Sequence, residues 1–203
     1  MPLMNGLELC AKIKNNIEYS HIPVILLTAK VLPEAKVEGF SYGADAYVEK
    51  PFTILQLHMQ IRNLLKLRTT FQQHMTSFLP DAKPEEKEEE ETGIQLTPQD
   101  QEFIKKMQEI IEQQLADEGF SIDTLASEMN MSRSNFYRKL KALSGMPPND
   151  YLKNCRLNKA AQLLKEGYRV TEVFERTGFG SSSYFAKCFK AKFGVLPKDY
   201  ISN

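Results

Sequence analysis

With 203 residues the chain is long enough for one large domain or two small ones, and its hydrophobic content of 42% is ordinary for a protein that folds in water. The longest apolar run, residues 22–29, is far too short to cross a bilayer, and no basic start followed by an apolar stretch marks a signal peptide, so a cytoplasmic chain is expected. The 26 basic and 26 acidic residues cancel overall but not locally: residues 81–120 hold 4 basic and 13 acidic side chains, residues 121–203 hold 14 and 7, which points to a polyanionic partner for the C-terminal part. Cys10, Cys155 and Cys188 are odd in number and widely spaced, and read as reduced thiols. With His21, His58 and His74 equally scattered, no metal and no other cofactor is expected.

Residues 1–78 alternate helical and extended patterns. Leu9, Cys10 and Ile13 give residues 7–16 a helix face. Residues 24–28, after Pro23, form a compact β-rich run, read as a buried strand. A helix is predicted over 33–42, ending near Gly43, then a short strand over 46–48 and a longer amphipathic helix over 52–67. This alternation implies a parallel sheet. Residues 79–96 combine two prolines with an acidic block, leave little to bury, and read as a solvated linker. Masking of the basic segment by phosphate mimicry is the alternative role for that block.

Residues 97–203 read as all helix. Thr97 is placed to cap a helix with Pro98 in its first turn; Phe103, Ile104, Met107, Ile110, Ile111 and Leu115 form its apolar face, and Gly119 is read as its end. Helices follow over 122–128, 132–143, 148–166, 170–176 and 182–192, with a last turn at 197–201. Gly145, Gly167, Gly178 and Gly194 stand where C-terminal caps belong.

Within this stretch, residues 131–152 recur 49 positions later as residues 180–201, with 9 of 22 positions identical, among them Ser132/Ser181, Phe136/Phe185, Gly145/Gly194 and Tyr151/Tyr200. A repeat at fixed offset is one supersecondary unit used twice. The supporting helices match at offset 48, so one residue is inserted in the second turn. In the first copy Phe136, Leu140 and Leu143 face inward, which leaves Arg133, Ser134, Tyr137, Arg138 and Lys141 outward. In the second, Phe185 and Phe189 face inward, and Ser182, Ser183, Tyr184, Ala186, Lys187 and Lys190 outward, with Lys192 also directed at the backbone of a bound polyanion. A helix presented this way offers its first turns to base edges and its lysines to phosphates, and Arg138 has the fork that pairs with guanine O6 and N7. The helix over 148–166 is a strut that holds two readers at a spacing comparable with the ~34 Å between successive major grooves on one face of a duplex.

The stretch TEVFERTGFGSSSYFAKCFKAKFGVLPKDY, with its Phe-Gly-x-x-Pro-x-x-Tyr tail, and the helix YLKNCRLNKAAQLLKEG resemble the DNA-binding domain of the AraC/XylS regulators over residues 98–203. The resemblance implies a double helix-turn-helix that binds promoter DNA. Arg156 falls in the family's Arg-Leu-x-x-Ala pattern, as a structural or phosphate-facing residue. Phe174 departs from the pattern: a small residue is usual there, and the first copy has Ala126. A phenyl ring at a close helix crossing is expected to overpack it by about 1–3 kcal/mol and to leave the second reader tilted or weaker. Thr177 likewise replaces a usual apolar residue.

MPLMNGLELC, PVILLTAK and GADAYVEKPF resemble the second half of a response-regulator receiver domain, a flavodoxin-like α/β fold. The resemblance implies that Thr28 and Lys50 are the phosphate-binding remnants, that Tyr47 is the aromatic switch residue, and that the Lys50–Pro51 bond is cis. In that family the phosphorylated aspartate precedes the Met of a Met-Pro pair by three residues; here that Met is Met1, so no phosphoacceptor is present, and Asp45 has the wrong context to replace it. A late start or a fragment of a longer parent is expected, with the edge of the first strand uncovered and open to pairing.

The fold expected is thus mainly α: a partial receiver over 1–78, an acidic linker over 79–96, and a double helix-turn-helix over 97–203. The function expected is sequence-specific transcription regulation at the output end of a two-component system, with double-stranded DNA as partner. By analogy with hybrid two-component proteins, the parent is a homodimer tied to an upstream sensor histidine kinase and to the inner membrane, and RNA polymerase is a further candidate partner. The alternative is an interaction fragment that pairs with intact receivers through its exposed strand edge. An enzyme is not expected, since no nucleophile triad, metal cluster or phosphate-cradling glycine loop is present. An RNA reader is disfavoured because the aromatics fall on inward faces.

Overall fold

The computed structural model describes residues 4–29, 41–77 and 96–202. Among these are the helices α1 (Gly6–Lys14), α2 (Ile54–Ser77), α3 (Pro98–Gln114), α4 (Ile122–Glu128), α5 (Arg133–Ser144), α6 (Pro148–Lys165), α7 (Val170–Glu175) and α8 (Ser182–Phe193). Two strands, β1 (Ile25–Thr28) and β2 (Ala46–Glu49), lie between α1 and α2, and a 3₁₀ turn, Pro197–Ser202, closes the chain. The chain is mainly α, as its sequence pattern requires. The predicted helix over 33–42 and the acidic linker lie, but for their last residues, outside the described residues. The described residues form two compact units. One reaches to Gln72 and takes in the start of α3 as far as Lys105; the other takes in the end of α2 from Gln73 and runs from Lys106 on.

In the first unit, α1 opens with a reciprocal cap: the Glu8 backbone N–H donates to Asn5 Oδ1 at 2.9 Å, and the Asn5 N–H donates to Glu8 Oε2 at 3.1 Å. Its last residue, Lys14, is buried, and its ammonium is satisfied by Asp45 Oδ2 at 2.6 Å and the Ile22 carbonyl at 3.0 Å. Strands β1 and β2 pair in parallel, with Ile25 opposite Ala46 and Thr28 opposite Glu49. Ala46 and Val48 are buried, whereas Leu27 on β1 is 42% exposed. Among the described residues nothing pairs with the other edge of β1. Helix α2 runs ten residues beyond the predicted end at Leu67. No Gly or Pro interrupts it before Pro80, and the β-branched Thr69–Thr70 pair lowers helix propensity only slightly.

Helix α3 begins in the first unit, where Thr97 caps it as predicted, its Oγ1 accepting from the Asp100 N–H at 3.1 Å, and continues in the second. Met107, Ile110, Ile111 and Leu115 are buried along one stripe. The helix stops at Gln114, five residues short of Gly119; that glycine instead donates its N–H to Asp117 Oδ1 at 2.8 Å in the following loop. Helix α6, about 27 Å long at 1.5 Å per residue, packs against α4, α5, α7 and the closing turn. Its buried residues Leu152, Leu157, Ala160, Ala161, Leu163 and Leu164 supply the shared core. Around α8 that core is aromatic. Phe185 lies 5.1 Å from Phe179 and 5.7 Å from Phe189, and Phe189 lies 4.5 Å from Phe193 and 5.2 Å from Tyr200, centroid to centroid. Burying each Phe fully stabilises by about 1.5–3 kcal/mol.

The expected overpacking at Phe174 is not found. The ring is half-buried, 6.3 Å from Phe185, and lines an apolar cavity of about 330 Å³ between α7, α8 and the closing turn, with Val170, Ala186, Leu196 and Pro197. Its extra volume turns outward into that space. Thr177 is fully buried, and its hydroxyl is satisfied by the Val173 carbonyl at 2.8 Å, which is how a polar residue replaces an apolar one here.

Candidate nucleic-acid interface

The two copies are built alike. Ser132 caps α5 by accepting from the Asn135 N–H at 3.3 Å, and Ser181 caps α8 by accepting from the Tyr184 N–H at 3.4 Å. Both helices end at a left-handed glycine, Gly145 at φ 73° and Gly194 at φ 81°. Between each supporting helix and its reading helix the chain turns through another left-handed residue, Asn130 (φ 53°) in the first copy and Gly178 (φ 65°) in the second. The inserted residue, Gly180, follows there. At Gly178 a Cβ would stand 2.4 Å from the Leu115 carbonyl oxygen and 2.9 Å from that of Asp117. Arg156 reaches the same loop, donating from Nη2 to the carbonyls of Asp117 (2.9 Å) and Phe120 (3.0 Å), and burial lowers its affinity for the proton. Of the two roles open to Arg156, the geometry supports the structural one.

Phe136, Leu140 and Leu143 on α5, and Phe185 and Phe189 on α8, are buried. Arg133, Ser134, Arg138 and Lys141 are exposed and Tyr137 is half-buried; on α8, Ser182, Ser183, Tyr184, Lys187 and Lys190 are exposed and Ala186 half-buried. Each helix therefore presents its singled-out residues on the face opposite its core. Some contacts on these faces could not be read from spacing. Arg133 Nε pairs with Asp123 Oδ1 of α4 at 2.9 Å, a meeting made only by the fold. Arg138 Nη2 donates to Asn135 Oδ1 one turn earlier. Lys192 corrects its assignment: its ammonium turns back onto α6, donating to Asn158 Oδ1 and, at 3.4 Å, to the Asn154 carbonyl. A cleft beside the second reader, lined by Asp150, Lys153, Phe179 and Tyr184 among others, was likewise not foreseen; there Lys153 pairs with Asp150 at 2.6 Å.

In the first unit, Thr28 ends β1 and Lys50 follows β2, so the parallel pairing sets them at the same end of the sheet; the Lys50 N–H donates to the Thr28 carbonyl at 2.6 Å. The Lys50–Pro51 bond is cis. Tyr47 lies on β2 and borders a cavity with Pro51, Leu55 and Met59. Asp45 precedes β2, about 13 Å from the Thr28 end at ~3.3 Å per residue, and accepts from the Val24 N–H at 2.6 Å besides pairing with Lys14. It is committed to holding the strand start. Among the described residues no group of three or more His, Cys, Asp or Glu could hold a metal ion, and no helix is long and apolar enough to cross a membrane.

A two-stranded parallel pair with a hydroxyl and a lysine at its carboxyl end, and a duplicated helix-turn-helix with basic outer faces, are the two features that characterise the described residues. Residues 1–62 match the response regulator receiver domain family and residues 125–203 a helix-turn-helix domain family, so the chain carries a receiver domain and a helix-turn-helix domain. It is 35% identical to histidine kinase P4 of Formosa agariphila over 98% of this chain and 14% of that protein. It is 32% identical to the HTH-type transcriptional regulator MtrA of Neisseria gonorrhoeae over 57% of this chain and 38% of that protein. The C-terminal domain of the two-component response regulator yesN from Fusobacterium nucleatum is 30% identical, covers 49% of this chain and 98% of its own, and superposes with a TM-score of 0.46. The chain thus spans about one-seventh and about two-fifths of the length of these two curated relatives.

Proposed function

We propose that residues 97–203 are a sequence-specific reader of promoter DNA, that residues 79–96 are its acidic spacer, and that residues 1–78 are the receiver segment of the same two-component regulator. The observation that supports this best is the paired construction of α5 and α8: equivalent caps, buried apolar edges, and exposed basic faces within residues 121–203, whose net charge is +7. Arg133, Ser134, Tyr137, Arg138 and Lys141 from the first copy, with Ser182, Ser183, Tyr184, Ala186, Lys187 and Lys190 from the second, form the DNA-contacting set. Thr28, Tyr47 and Lys50 occupy the receiver's switch positions in this reading. The partners in this reading are duplex DNA, a second copy of the parent, an upstream histidine kinase and RNA polymerase; the setting is the cytoplasm, and catalysis is no part of the role.

Gel shifts across a salt series test the reading. A specific reader keeps its preferred duplex as salt rises, whereas charge attraction alone fades equally for all sequences; the latter result would remove the proposal. Among the described residues no strand pairs with the outer edge of β1, and Leu27 is exposed, which supports a second reading, capture of an intact receiver by strand pairing. A Leu27→Pro variant that still binds such a receiver equally well would eliminate it.

A further inference from the structure

The two reading helices differ where they are most alike. At the third residue of each helix the first copy has Asn135 and the second Tyr184; one turn on, the first has Arg138 and the second Lys187. The Asn135 backbone is fixed by the Ser132 cap, and its side-chain Oδ1 accepts from Arg138 Nη2. That contact engages one of five guanidinium N–H donors and sets the plane of the fork, leaving the others for paired acceptors on a base edge. In the second copy Tyr184 offers no carbonyl acceptor to its neighbour one turn on, its ring lying 6.2 Å from that of Phe179, and Lys187 is a compact charge without a fork, suited to phosphate rather than to a pair of base acceptors.

We infer that the first reading helix specifies the DNA sequence through an oriented Asn135–Arg138 pair, with Asn135 as a positioning residue, and that the second anchors the chain on the phosphate backbone. This rests on the DNA-reading proposal and adds a division of labour to it. The bases addressed are those with two acceptors on the major-groove edge, guanine above all.

The test is binding-site selection followed by titration of the full chain on the selected duplex and its single-base variants. Arg138→Ala is expected to lower the preference at one guanine by about 5- to 150-fold. Asn135→Ala should lower preference at that same position by about 2- to 10-fold, the cost of ordering one rotamer-rich side chain. Asn135→Asp keeps the acceptor, so it should retain base preference while weakening all sequences by added repulsion. Lys187→Ala should weaken all duplexes alike and flatten the salt dependence. Preference unchanged in Asn135→Ala, lost at a different base, or lost in Lys187→Ala would overturn the inference while leaving DNA reading intact. No selected sequence at all for the parent chain would overturn both.

Discussion

A left-handed glycine can be required for two separable reasons, and the turns of this fold show both. At Gly194 (φ 81°) and Gly167 (φ 90°) an added Cβ meets nothing within 4 Å, so alanine there carries only the backbone penalty, about 1–2 kcal/mol. At Gly178 the same penalty is joined by a collision with backbone oxygen. Gly178→Ala is therefore expected to cost clearly more than Gly194→Ala, about 3 kcal/mol or above once overpacking is added, as chemical denaturation midpoints would show. Phe174 provides a third test at this scale. Because its ring contacts Phe185 and borders open space, Phe174→Ala should destabilise the fold by about 1–3 kcal/mol for a half-buried ring, seen as a lower melting temperature, and should not tighten DNA binding. A variant as stable as the parent would restore the overpacked crossing that the sequence suggests.

The elements of the duplicated unit were the most readable part of the chain, for physical reasons. Ser132 and Ser181 mark helix starts because a hydroxyl can satisfy an orphan N–H, and the glycines after α5 and α8 mark ends because a left-handed residue is needed there. The inward set of Phe136, Leu140, Phe185 and Phe189 followed from helical spacing alone. Spacing is silent on side chains that bend away from their own helix. Lys192 occupies the repeat position of buried Leu143, and only the neighbouring Asn158 explains its course. Arg133 meets Asp123 because α4 and α5 converge. Helix α6 adds a pH-dependent element. Burial pushes the Cys155 thiol up to about 12 and raises the Tyr151 phenol as well. Both folded values lie above their unfolded ones, so their contribution is complete below about pH 8.5 and is lost as pH rises toward the folded values. Melting temperature should hold between pH 7 and 8.5 and fall above pH 9, less steeply in Cys155→Ala. An equal fall in that variant would exclude the thiol as a source.

For the whole molecule, the two units differ in how much their sequence could reveal. The receiver segment yields its strands and its cis Lys50–Pro51 bond from local motifs, yet its α2 helix continues past Leu67 because no residue there forbids it. The reader unit depends on contacts between distant segments. Arg156 and Gly178 both press on the loop carrying Leu115, Asp117 and Phe120, so the second copy is completed by residues that precede the first. The convenient boundary at residue 125, where the helix-turn-helix match begins, is for that reason a poor place to cut. A fragment of residues 125–203 would strand the Arg156 guanidinium without either acceptor and should melt well below one beginning at Leu96, ahead of the α3 cap. Anyone trimming this protein for crystals or for DNA work should leave α3 attached.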